Sequence, residues 1–170
     1  MATANSFAVL AGSTVTNTGA TTIRGSVGVS PSSAIIGFPP GIVTLGTIEA
    51  ATAVAAQAKT DLTAAYTAAA LQACDFTNIS LTGELGGLTL TPGVHCFSSA
   101  SAQLTGTLTL DAQGDPNAIF LFKIGSTLTT ATGSSIVFTN GGRGTGVFWQ
   151  VGSSATLGTT TSFAVRRPPQ

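Results

Sequence analysis

The chain has 170 residues, and its six basic and six acidic side chains leave a net charge of zero with only 7% of residues charged. That length suits one domain with a sizeable core. The neutral balance gives no attraction to nucleic acid or anionic membrane, so few titratable groups argue against an acid–base active site, and no apolar run approaches the ~18 residues of a membrane span.

In chain order, Met1-Ala2-Thr3-Ala4-Asn5 lacks a basic, apolar leader. It reads as a mature start behind an initiator Met, with no signal peptide. "FAVLAGSTVTN" (Phe7 to Asn17) reads as an apolar strand, a Gly-Ser corner and a Thr-flanked strand. Residues 30–46, "SPSSAIIGFPPGIVTLG", are rich in Pro and Gly and are expected to form a loop or cap. Residues 48–73 contain no Gly or Pro and are dominated by alanine, which predicts a helix. Val54, Ala58, Leu62, Ala65, Tyr66 and Ala69 would share its apolar face, with Gln57, Lys59, Asp61 and Thr63 largely outside it. An alanine-rich face suits close packing against a flat sheet, for which Phe120, Phe122 and Phe148 are the expected partners.

The second half repeats itself. "AIFLFKIGS" from Ala118 matches "TGVFWQVGS" from Thr145 at an offset of 27, and "GTLTL" from Gly106 matches "SSIVF" from Ser134 at 28. A unit of about 27 residues, built from three short strands and Gly/Ser/Asn corners, predicts a mainly β, three-faced β-helix (β-solenoid). Alternation agrees: Leu128 opposes Thr127 and Thr129, Val15 opposes Thr14 and Thr16, and Leu108 and Leu110 oppose Thr107 and Thr109. Threonine also suits strands for its β-branching alone.

In stacked coils, equivalent strands lie ~4.8 Å apart and same-face side chains ~6.7 Å apart along each strand. Outward residues of each coil's second strand then form a two-column grid of Thr14/Thr16, Gln103/Thr105, Thr127/Thr129 and Ser154/Thr156. Such an uncharged, regular surface of hydroxyls and methyls suits an extended lattice of ordered water, such as an ice crystal surface.

Cys74 and Cys96 lie 22 residues apart in no metal-ligand motif. They read as a disulfide if the chain is secreted, or otherwise as two buried thiols. His95, the single histidine, reads as structural. Asp111 and Asp115 in "DAQGDPNA" read as turn residues, Glu84 as solvated, and Phe148 and Trp149 as part of a core-forming strand. No catalytic residue, metal site or cofactor is expected.

The segments "NSFAVLAGSTVTNTG", "IRGSVGVSP", "GGLTLTPGVHCF", "LTGTLTLDAQGDPNAIFLFKIGSTLTTATGSSIV" and "VFWQVGSSATLGT" resemble the ice-binding (antifreeze) protein family of the DUF3494 type, over about residues 5–163. The resemblance implies an irregular, right-handed β-helix with one long α-helix packed alongside. It also implies a secreted monomer that adsorbs to ice, halts crystal growth and inhibits recrystallisation. The face implied is the second strand of each coil, the grid named above. The family pattern continues through further coils where this sequence reads "TTTSFAVRRPPQ", so residues 164–170 are a divergent tail, and an open sheet edge is expected beside the N-terminal coil. A secreted or cell-surface adhesin or matrix module is the alternative the same solenoid would serve.

Overall fold

A computed structural model describes residues 3–75, 83–97, 99–141 and 146–163. The divergent tail lies outside the described residues. The chain groups into two compact units, Met1–Ala68 and Ala69–Gln170.

The first unit opens with a 3-10 turn, Thr3–Ser6. Seven short strands follow: β1 (Phe7–Ala11), β2 (Thr14–Thr16), β3 (Thr22–Arg24), β4 (Ser26–Val29), β5 (Ala34–Ile36), β6 (Ile42–Thr44) and β7 (Ile48–Ala50). All pairings are parallel, in ladders β1–β4–β7, β2–β5 and β3–β6. The 30–46 segment is therefore not a loop or cap. It supplies β5 and β6, with its prolines confined to the corners between strands, where a missing N–H costs the ladder nothing. Gly37, at φ 85°, makes one corner possible, because a Cβ there would lie 1.9 Å from the Asn17 carbonyl oxygen.

The helix α1 runs Ala53–Ala70, later and shorter than the 48–73 expected. Ile48–Ala50 pairs with β4 instead, because a parallel ladder was available to it. Thr52 then caps the helix: its Oγ1 accepts from the Ala55 N–H (3.2 Å) and donates to Glu49 Oε2 (2.6 Å). The buried face of α1 is also rotated from the predicted one. Ala55 and Ala58 are fully buried, whereas Val54, Leu62 and Tyr66 are exposed, because the closest approach falls to the smallest side chains. Asp61 holds the first turn of the chain, accepting from the Thr3 N–H (3.1 Å) and hydroxyl.

The second unit contains β8 (Thr89–Leu90), β9 (Gly93–Cys96), β10 (Ala102–Leu104), β11 (Thr107–Asp111), β12 (Phe120–Ile124), β13 (Thr127–Thr130), β14 (Ser135–Thr139), β15 (Val147–Val151) and β16 (Ser154–Leu157). They form three parallel sheets, β8–β11–β14, β9–β12–β15 and β10–β13–β16. Ladder partners Leu128↔Ala155, Phe122↔Trp149 and Thr107↔Ser135 reproduce the offsets of 27 and 28 read from the repeat. The first unit's coils are shorter, about 20 residues (Thr14↔Ala34, Thr22↔Ile42). There Gly25 alone joins β3 to β4, where the second unit inserts residues 112–119 between β11 and β12. The recurring Gly-Ser corner has a steric cause: a Cβ on Gly152 would lie 2.1 Å from the carbonyl oxygen of Gly125, one coil earlier.

Every second residue of these strands points inward. Leu85, Leu90, Leu104, Leu108, Leu110, Phe120 and Phe122 form the main core. Phe120 and Phe122 are fully buried there and so do not supply an outer face for α1. Phe148 is in register with Leu121, which alternates with them. An aromatic stack runs through the interior, His95 to Phe122 (ring centroids 5.0 Å), Phe122 to Trp149 (4.1 Å) and Trp149 to Phe163 (4.9 Å). Burial lowers the His95 pKa from its usual value and keeps the ring neutral, with Nε2 3.1 Å from the Thr91 carbonyl oxygen. Cys74 and Cys96 are joined as a disulfide, Cα–Cα 5.8 Å, which ties the segment after α1 to the end of β9.

Candidate functional site

In the sheet β10–β13–β16, burial alternates along β10 and β13, whereas all four residues of β16, Ala155 and Leu157 included, are exposed. Ala102, Leu104, Leu128 and Thr130 point inward and are buried, while Gln103, Thr129, Ser154 and Thr156 are exposed. The ladder puts Gln103 beside Thr129 and Thr129 beside Thr156, with Thr127 beside Ser154 in the neighbouring column. Thr127 is half-buried, and its Oγ1 donates to Ser101 Oγ at 2.9 Å, so Ser101 occupies the place next to Thr127. The side chains of Thr129, Ser154 and Thr156 make no hydrogen bond within the described residues, which leaves their hydroxyls to solvent. A groove of about 410 Å³ on this face is lined by Gly83, Glu84, Ser99, Ser101, Ala102, Gln103, Thr127 and Thr129.

The grid differs from the one read in the sequence at the Gln103/Thr105 row, and the Thr14/Thr16 row stands in a separate two-stranded sheet. Gln103/Thr105 was expected beside Thr127/Thr129, but Gln103 stands opposite Thr129, and Thr105 lies past the end of β10 at the corner. A shift of two residues preserves inward–outward alternation, so the pattern cannot reveal it. What decides it is the core, which takes the pair Ala102/Leu104 against Leu128/Thr130. Thr14 and Thr16 are exposed on β2 of the first unit, where their ladder partners are Ala34 and Ile36 rather than hydroxyls.

Glu84 extends the Gln103–Thr129–Thr156 row through a parallel bridge to Gln103. Its Oε1 accepts from the N–H groups of Gly86 (2.6 Å) and Thr105 (2.9 Å). Partial burial pushes the carboxyl upward, but these donors outweigh it and hold the pKa below the usual glutamate value. The carboxylate thus stays ionised and tied down at the rim, while the rows beyond it carry no charge. Sequence reading treated Glu84 as merely solvated and missed Ser101; no local signal marks either residue, since both roles depend on the neighbouring coil. Among the described residues, no three His, Cys, Asp or Glu side chains converge on one point.

Comparison with known proteins gives this arrangement its context. A family model described as ice-binding-like matches residues 9–165. The chain belongs to this family. It is 60% identical over 164 residues to an ice-binding protein of Nostoc sp. (strain HG1), covering 96% of this chain but 59% of that protein. The fold is likewise that of ice-binding proteins of known structure. One from an Antarctic biological consortium superposes with a TM-score of 0.88 at 49% identity, covering 96% of this chain and 72% of that one. The ice-binding protein of the ascomycete Antarctomyces psychrotrophicus gives a TM-score of 0.87 at 39% identity, covering 94% and 76%. The parallel sheets and the one α-helix among the described residues are thus the mainly β, β-helical architecture of ice-binding proteins.

Proposed function

We propose that the chain binds ice through the outward face of β10–β13–β16, and that adsorption there slows crystal growth and recrystallisation. The supporting observation is the two-column array on this sheet. Ser101, Thr127 and Ser154 form one column and Gln103, Thr129 and Thr156 the other, with the register set by the parallel ladders and, along β10 and β13, by the buried Ala102, Leu104, Leu128 and Thr130. Each threonine offers a hydroxyl that holds a water and a methyl that restricts where that water moves. The stiff χ1 of threonine and the parallel ladder repeat these sites at lattice-like intervals. Water already ordered at the surface joins the crystal without first being immobilised, which removes part of the entropic cost of contact. Thr14 and Thr16, on β2, and Thr105, at the corner, are assigned to the same kind of surface on chemistry alone.

Adsorption makes and breaks no covalent bond, so the reading assigns no catalytic group, cofactor or metal. We assign the protein to the extracellular space, where the Cys74–Cys96 disulfide is stable, and it acts as a monomer. The decisive experiment freezes a solution slowly and measures how the protein divides between ice and liquid, for the wild type and Thr129→Tyr. The wild type should enter the ice, and the variant, with a ring standing above the array, should enter it measurably less, with an unchanged circular dichroism spectrum. Full retention of ice partitioning by Thr129→Tyr would refute the assignment of the face.

A further inference from the structure

The second unit has three outer faces, and their chemistry is unequal. On β9–β12–β15 one outward column is Val94, Leu121 and Phe148, with Leu121 buried. The outward columns of β8–β11–β14 are different. Thr107 pairs with Ser135, Thr109 sits between Thr89 and Val137, and Asp111 pairs with Thr139. Behind them Leu90, Leu108, Leu110 and Ile136 are buried, so the outward set is held in register as rigidly as on β10–β13–β16.

We infer that this sheet is a second ice-adsorbing face, built from the Thr107–Ser135 and Thr89–Thr109–Val137 columns. The inference rests on the function proposed above and extends it to a surface that reading does not use. Three independent observations favour ice over a protein or a charged ligand. The two columns carry no charge, and every member is β-branched or hydroxyl-bearing. The hydroxyls of Thr89, Thr109 and Thr139 make no hydrogen bond within the described residues, while Thr107 Oγ1 and Ser135 Oγ lie 3.0 Å apart and fix one another. The face also ends as the first one does, at a single tethered carboxylate: Asp111 Oδ1 accepts from the Gln113 N–H (2.9 Å) and Asn140 Nδ2 (2.8 Å). The two faces are contiguous in the chain, since only Thr105 and Gly106 separate β10 from β11. Val137, 40% exposed, offers a methyl as threonine does, with a second methyl in place of the hydroxyl and no competing polar anchor.

The test uses fluorescently labelled chain adsorbed to a single-crystal ice hemisphere, which shows the crystal planes that are coated. Thr129→Tyr disables the first face, Thr109→Tyr the second, and the double variant both. The expected result is that each single variant loses a different part of the wild-type labelling and that the double variant labels nothing. If Thr129→Tyr, folded by circular dichroism, labels no plane, the second face does not adsorb alone; the present inference is then overturned while the first face stands. If the double variant still labels ice, both assignments fall. If Thr109→Tyr labels no plane while Thr129→Tyr labels all of the wild-type set, the two-face model is overturned and the first assignment with it. Should Thr109→Tyr fail to fold, Val137→Tyr at the exposed neighbouring position replaces it, with the same outcomes read in the same way.

Discussion

Thr129 and Leu128 are adjacent in the chain and do opposite work. Leu128 is 1% exposed and packs with Ala102 and Ile124 in the core, so Leu128→Ala should cost roughly 2–5 kcal/mol, read as a lowered denaturant midpoint. Thr129→Tyr should leave that midpoint nearly unchanged and reduce ice partitioning instead, which separates folding from function at neighbouring positions. Asp61 makes a pH-dependent tie. Its hydrogen bonds from the Thr3 hydroxyl, Gln57 and the Thr3 N–H lower its pKa from 3.8 to about 2. A carboxyl with a depressed folded pKa favours the folded state fully above its unfolded value, and the benefit fades as pH falls through the folded one. Melting temperatures of the wild type should therefore drop between pH 4 and 2, and Asp61→Ala should flatten the curve in that window. The inward or outward sense of Leu128 and Thr129 was legible from alternation alone. The role of Asp61 was not, because its partner Thr3 lies 58 residues away.

At the scale of elements, the helix shows how far composition carries. An alanine-rich segment free of Gly and Pro announces a helix, but its start depends on Thr52 and on β4 drawing Ile48–Ala50 into a ladder. Thr52→Ala should cost about 1 kcal/mol and lower the helical signal at 222 nm on mild heating, since the Ala55 N–H loses its acceptor. Residues 34–36 and 42–44 teach the opposite lesson. Flanking prolines and glycines suggested loop, yet three-residue strands suffice where a parallel neighbour waits on the adjacent coil. The displaced row at Gln103 belongs to the same class, because a slip of two residues keeps the side-chain alternation and only packing against Leu128 and Thr130 distinguishes the registers.

For the whole molecule, the Cys74–Cys96 bridge closes a 22-residue separation and should contribute about 3 kcal/mol by restricting the unfolded chain. Reduction, or Cys74→Ser, should lower the thermal midpoint while leaving the hydroxyl columns and hence residual ice partitioning below that temperature intact. The chain spans 59% of the length of its Nostoc relative, so these values belong to this chain rather than to that protein. The sequence by itself determined the 27-residue repeat of the second unit, the alternation of threonine with leucine and the presence of a helix, because these are written in local periodicity and composition, while its motifs carried the resemblance to the family. Only the tertiary structure decided which hydroxyls stand side by side, that Glu84 and Asp111 are tethered at the rims, and that a second sheet presents the same chemistry. Those facts are set by which coil stacks on which, and stacking register is a property of the buried core rather than of any one strand.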